Sequence, residues 1–174
     1  LKMVDGCLLL VDASEGPLPQ TRYVLSNALE NGLSPIVVIN KIDRPDARIE
    51  EVENEVLELF LNLDASEEQC NFPMIYTIAK DRLSTLDMKV PGENLVPLFE
   101  TIIKNVPPPE YVENHPLQIQ ITTLDYSDYL GRIGIGRVTN GTLKVGDWVN
   151  MGTEESFTKT KITQLFGFSG LKRI

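Results

Sequence analysis

Three side chains that could read a nucleobase follow the second apolar run of the sequence. Asn40, Lys41 and Asp43 come directly after Ile36 to Ile39, and open α/β sheets bind their ligands at the carboxyl ends of such strands. A carboxylate such as Asp43 accepts two hydrogen bonds at once, which matches the N1–H and 2-amino donors of guanine. Because adenine lacks that pair, a desolvated carboxylate here would discriminate between the bases by roughly 10⁴ to 10⁵-fold.

A second element ends at the same predicted edge. The third apolar run closes with Ile78, Ala79 and Lys80, so an exposed amide and a second lysine stem could meet the base opposite Lys41. Asn40 would brace the loop and reach the ring edge. The alternative is structural, since Asn and Asp after a strand often form turns or cap helices.

Alternating strands and helices position these residues. The apolar runs Val4 to Asp12, Ile36 to Ile39 and Met74 to Ile78 predict parallel strands, the first of them covered on both faces. Helical spacing between and after them predicts an α/β segment of three parallel strands joined by right-handed crossovers. The predicted helices are Gln20 to Asn31, Ala47 to Leu63 and Leu95 to Val106.

A proline run divides the chain. Pro107 to Pro109 ends the last helix, because proline lacks the amide donor that a continuing helix needs. Beyond it apolar residues alternate with polar ones, as in β-strands. Turn signals at Asn140-Gly141 and around Gly146 separate the short strands. We therefore predict an α/β domain over 1–109 and an all-β domain, a small barrel, over 110–174. Two predicted strands are Asp147 to Met151 and Thr158 to Leu165.

The charge distribution limits the partners. The formal net charge is −9, with nine basic and eighteen acidic side chains in 1–109 and seven of each in 110–174. Non-specific binding to DNA needs a basic surface, which this chain lacks. No apolar run approaches the roughly 20 residues of a membrane helix, so a cytoplasmic protein without a membrane contact is expected. Cys7 and Cys70 are interpreted as free thiols.

No residue of the chain is assigned to catalysis or to a metal. Phosphoryl transfer needs a glycine-rich loop ending in Lys and Ser or Thr, which the sequence does not contain. The glycines of Gly131 to Arg137 lack that pair and more simply permit tight bends. Asp12 is interpreted as a loop cap, His115 as structural, and Trp148 as a barrel-core residue rather than an RNA-stacking one.

Three stretches carry a family resemblance. Asn40 to Asp43 resembles the guanine-specificity motif of the GTPase superfamily, and Gly16 to Arg22 looks like the stretch after the second switch of translational GTPases. Pro116 to Val149 is similar to the second domain of the TypA/BipA family, and the segment Leu124 to Arg132 favours that branch over elongation factor Tu or LepA. The resemblance covers nearly the whole chain.

The resemblance implies a fold and a function. The first domain is expected to be the C-terminal half of a P-loop-NTPase-like GTP-binding domain, and the second the start of a translation-factor β-barrel. Asn40, Lys41 and Asp43 become base contacts, Ala79 the backbone donor to the guanine oxygen and Lys80 the second stacking stem. Where the family has serine, this chain has Ile78, so a side-chain hydrogen bond that would steady Asp43 is missing.

The whole protein is then expected to bind GTP or GDP with Mg²⁺ and to contact ribosomal RNA and proteins through its barrel, in translation and the stress response. Tyr126, Tyr129, Arg132 and Arg137 are candidates for the RNA contact. We expect the chain to be an internal fragment that neither hydrolyses GTP nor holds nucleotide tightly. The alternatives are another translational GTPase, of the elongation-factor or LepA type, and a non-enzymatic scaffold or ribosome-binding module.

Truncation also predicts self-association. The strand Val4 to Asp12 would lack a neighbour, and an exposed apolar strand edge can pair with another chain. We expect two copies to associate through this edge or through the face that it leaves uncovered, and a purely monomeric species in sedimentation at high concentration would contradict the expectation.

Overall fold

The computed structural model describes residues 1–153 and 156–174. The chain divides into two compact units, Leu1–Pro109 and Glu110–Ile174, and each unit is considered by itself.

The first unit is built on a four-stranded sheet with the order β1-β2-β3-β4. Its first three strands are parallel, which confirms the predicted α/β class. A short fourth strand runs antiparallel to β3 and was not predicted, because three residues are too few to show a period. The strands are β1 (Gly6–Asp12), β2 (Ser34–Asn40), β3 (Met74–Ile78) and β4 (Leu83–Thr85).

Four α-helices accompany this sheet. Three of them agree with the predicted helices to within two residues at each end, and Gly32, at a φ of +71°, follows the first. The four-residue helix was not predicted, although Ser66 and Gln69 form a reciprocal capping box at its start. The helices are α1 (Pro19–Glu30), α2 (Ile49–Leu61), α3 (Glu67–Cys70) and α4 (Val96–Asn105), and a 3₁₀ turn spans Ala79–Asp81.

Apolar side chains pack on both faces of the sheet. On one face, α1 and α2 bury the odd-numbered residues of β1 and β2, with Phe60 at 0% exposure. On the other face, Ile36, Val38 and Ile75 pack against α4. Burial on two faces fixes the strand register, because a one-residue slip would exchange the faces.

The prediction that the first strand is covered on both faces is wrong for the described residues. Leu9 and Val11 are buried, whereas Leu8 and Leu10 on the opposite face are 46% and 62% exposed. The physical reason is that β1 has only β2 as a neighbour in this sheet, while α4 packs over Ile36 and Val38 of β2. Self-association through this edge stays a prediction.

The second unit is all-β, as predicted. Its described residues form three separate two-stranded antiparallel sheets, so closure into a barrel stays a prediction. The predicted strand Thr158 to Leu165 ends at Lys161, and Trp148 is 62% exposed, so the expected burial of that ring is wrong for the described residues. The pairs are β5 (Gln118–Ser127) with β6 (Gly131–Asn140), β7 (Trp148–Thr153) with β8 (Ser156–Lys161), and β9 (Phe168–Ser169) with β10 (Lys172–Arg173).

None of the helices in 1–153 and 156–174 is long and apolar enough to cross a membrane.

Candidate functional site

The carboxyl ends of β2 and β3 lie side by side and carry the residues singled out in the sequence. Asn40, the last residue of β2, is in register with Thr77 of β3. Lys41 follows at a φ of +64°, a left-handed conformation that is uncommon for a residue with a side chain. The turn directs the chain back so that Ile42 packs against the core, and its N–H donates to the Thr77 carbonyl at 3.4 Å.

Asn40 joins the two strand ends by hydrogen bonds. Its Oδ1 accepts from the Thr77 hydroxyl at 3.1 Å and from the Ala79 N–H at 3.0 Å. Thr77 is 2% exposed, so this bond is shielded from water. The Ala79 N–H, which is predicted to donate to the guanine oxygen, therefore already donates to Asn40, another residue of the same site.

Lys41 is held by a carboxylate on a third strand. Its Nζ lies 2.7 Å from Oδ2 of Asp12, the last residue of β1. The Asp12 side chain is 13% exposed, and its Oδ1 accepts from the Ser14 N–H at 2.9 Å and the Ser14 hydroxyl at 2.7 Å. Those bonds confirm Asp12 as a loop cap. The Lys41 ammonium, 2.7 Å away, holds the Asp12 pKa well below its usual range, although burial opposes this.

Asp43 and Lys80 face each other across the gap between the two loops. The Lys80 Nζ lies 3.5 Å from the Asp43 Oδ2, with side-chain exposures of 76% and 34%. Both predicted stacking lysines thus lie next to carboxylates, one at Asp12 and one at Asp43. A ligand that engaged the Asp43 carboxylate would compete with a weak, solvent-screened ion pair only.

Ile78 ends β3 between Thr77 and Ala79. Its apolar side chain has no group that could donate to Asp43, as the comparison with the family serine predicts. The bond from Thr77 to Asn40 braces the neighbouring strand end.

Arg48 fixes the loop after β1, a role that sequence reasoning missed. Its N–H donates to the Ala13 carbonyl and its Nε to the Ser14 carbonyl, both at 2.9 Å. The guanidinium also pairs with Glu55 on α2. No local sequence signal marks these contacts, because the bond to Ser14 joins residues 34 positions apart.

A shallow depression of about 240 Å³ adjoins Asn40 and Lys41 on the β1 side. Its other walls include Leu10, Asp12 and Gly16. Asp43, Ala79 and Lys80 lie outside this lining. Two of the five predicted base contacts, Asn40 and Lys41, therefore line the depression, and the other three do not.

No group of three His, Cys, Asp or Glu side chains among the described residues is arranged to hold a metal ion. The only histidine, His115, is exposed, and one of its ring nitrogens lies 3.0 Å from the Pro116 carbonyl oxygen.

Comparison with known proteins defines the class. A family model described as the elongation factor Tu GTP binding domain matches residues 1–108. The chain belongs to this family of GTP-binding domains.

Particular relatives narrow the resemblance. The chain is 55% identical over its full length to the large ribosomal subunit assembly factor BipA of Bacillus subtilis, 50% to that of Synechocystis and 45% to that of Escherichia coli O157:H7. These matches confirm the similarity to the TypA/BipA family. The chain spans about 29% of the length of these relatives.

A solved structure shows the same fold. The apo form of translation elongation factor SelB from Methanococcus maripaludis aligns with a TM-score of 0.59 and 24% identity, over 83% of this chain and 29% of that one. This likeness supports the α/β and β class.

Proposed function

We propose that this chain is the guanine-reading portion of a longer GTPase of the TypA/BipA type. The observation that carries the proposal is the pair of hydrogen bonds at the Asn40 Oδ1, which hold the ends of β2 and β3 at one place. Asp43 and Lys80 lie 3.5 Å apart beside that junction. The two loops can therefore act on a single ligand.

The chemistry of this site fits guanine. Asp43 would exchange the Lys80 ammonium for the N1–H and 2-amino donors of the base, and the Ala79 N–H would turn from Asn40 to the base oxygen. The stems of Lys41 and Lys80 would lie against the ring faces. The Asp43–Lys80 ion pair that the base would replace is screened by solvent, so the cost of freeing this carboxylate is small.

Phosphate binding and hydrolysis belong to other parts of the longer protein in this proposal. GTP or GDP with Mg²⁺ needs a glycine-rich loop with Lys and Ser or Thr, and these 174 residues contain none. By themselves the 174 residues neither bind nucleotide tightly nor hydrolyse GTP. A scaffold or ribosome-binding module without GTPase activity is the second candidate.

The second unit would contact the ribosome, in the cytoplasm and in the translation and stress-response setting that the family resemblance implies. Tyr126 and Arg132 are directly paired across β5 and β6, and Tyr129 in the connecting turn is 98% exposed. An exposed ring beside a cation suits an RNA surface. Ribosomal RNA and proteins are the proposed partners, and neither DNA nor a membrane is.

Calorimetric titration of the longer protein with GDP and with ADP, in the presence of Mg²⁺, tests this function. We expect GDP binding and no detectable ADP binding, because Asp43 would be left unpaired by adenine. The 174-residue chain serves as the control and should bind neither nucleotide detectably. Equal affinities for GDP and ADP in the longer protein would refute guanine reading, and tight GDP binding by the short chain would place the phosphate site within it.

A further inference from the structure

The β7–β8 hairpin carries aromatic and cationic side chains on one face. Its register pairs Trp148 with Lys161, Asn150 with Lys159 and Gly152 with Phe157. Alternation along each strand puts these residues on a common face, and Lys159 lies over the Trp148 ring, 5.5 Å from its centroid. We call this set of residues the Trp148 face.

The Trp148 face is the more exposed side of the hairpin. Trp148 is 62% and Phe157 67% exposed, and both lysines are exposed as well. On the opposite face, Val149 and Thr160 are partly buried, whereas Met151 and Thr158 are exposed. The hairpin thus exposes both of its aromatic rings, the reverse of what burial alone would favour for a tryptophan.

The charge on the Trp148 face is positive. Within the part of the chain that the structure describes, neither Lys159 nor Lys161 forms an ion pair with a carboxylate. Lys159 has only the indole as a partner there, and rotation about its own side-chain bonds frees its ammonium for an anion. An indole face and two ammonium groups lie within one strand pair.

We propose that the Trp148 face binds single-stranded RNA. Unpaired bases would stack on Trp148 and Phe157, whose positions are separated by about 13 Å along the strand, and Lys159 and Lys161 would neutralise the phosphates. Unpaired bases are required because a duplex hides its ring faces. This site is independent of guanine reading and rests on the proposed ribosomal setting only for the choice of RNA over DNA.

Trp148 is the only tryptophan of the chain, so its fluorescence reports this face directly. We expect a twelve-nucleotide oligouridylate to quench the fluorescence of the 174-residue chain saturably at low salt. Heparin, which has charge but no bases, should leave it nearly unchanged. No quenching by the RNA, or equal quenching by heparin, would overturn the proposal, and equal affinity for the matching DNA strand would overturn the choice of RNA.

Variants separate stacking from charge, with affinity measured by anisotropy of labelled RNA. Trp148→Ala should weaken binding about tenfold and Trp148→Phe should restore much of it. Replacing Lys159 and Lys161 by Gln should lower the slope of log affinity against log salt by about 1.4, whereas Lys104→Gln on α4 should not. Unchanged affinity in Trp148→Ala would remove the ring from the site.

The guanine and RNA proposals fail separately. Asp43→Asn should leave the RNA affinity of the chain unchanged, since Asp43 belongs to the other unit. If Asp43→Asn weakened RNA binding as much as Trp148→Ala does, the Trp148 face would not be the site.

Discussion

The Asp43→Asn variant of the longer protein is expected to lose its preference for GDP and to bind xanthosine diphosphate in its place. Xanthine carries a 2-oxo group where guanine has an amino group, and an asparagine amide donates to it. Guanine leaves that amide without an acceptor. The preference of GDP over the xanthine nucleotide should fall by roughly 10⁴-fold, since mispaired polar groups in a specific site cost that much.

Calorimetric titration with both diphosphates measures this exchange, and Asp46→Asn is its matched control. Asp46 lies three residues further on, undergoes the same chemical change, pairs with Arg44 at 2.7 Å and is not one of the proposed base contacts. It should leave GDP affinity within twofold of the parent. An Asp43→Asn variant that keeps full GDP affinity would remove Asp43 from the site.

Asp12→Ala is expected both to destabilise the first unit and to weaken guanine binding by the longer protein. The substitution leaves the Ser14 N–H, the Ser14 hydroxyl and the Lys41 ammonium without the carboxylate that accepts from them. The cost should be about 2 kcal/mol, a value set by the two bonds to Ser14 at a nearly buried side chain. Urea unfolding measures it, and Asp46→Ala, at an exposed pair, should have a much smaller effect.

The difference in stability between the parent and Asp12→Ala should depend on pH. The folded-state pKa of Asp12 lies below the unfolded value of about 4, so the fold favours the ionised carboxylate. The stability difference between parent and Asp12→Ala should be complete above about pH 5 and should shrink as the pH falls below 4. A difference that grew on acidification would contradict the assigned ion pair with Lys41.

The sequence predicts the main strands and helices of the first unit because each shows a regular pattern of apolar residues over several positions. Met74 to Ile78 is an apolar run beside the predicted ligand edge, and the structure places it there as β3. The three residues of β4 are too short to show a period, and the exposure of Leu8 and Leu10 depends on which elements lie beside β1. Local patterns contain no information about such neighbours.

The site was predictable in its residue types but not in its contacts. Strand ends and spacing indicate that Asn40 and Ala79 lie together, and the structure joins them by a hydrogen bond. The attachment of Lys41 to Asp12 spans 29 positions and depends on the parallel pairing of β1 with β2. Trp148 is exposed although its hydrophobicity favours burial, because alternation along β7 puts its side chain on the face opposite the partly buried Val149.

The most direct test of guanine reading is a crystal structure of the longer protein with bound GDP. The account predicts both Asp43 oxygens within about 3 Å of the base N1 and 2-amino nitrogens, and the Ala79 N–H directed at the base oxygen. Lys80 would have left its position 3.5 Å from Asp43. A base bound elsewhere, with Asp43 still beside Lys80 and Ala79 still bonded to Asn40, would contradict it.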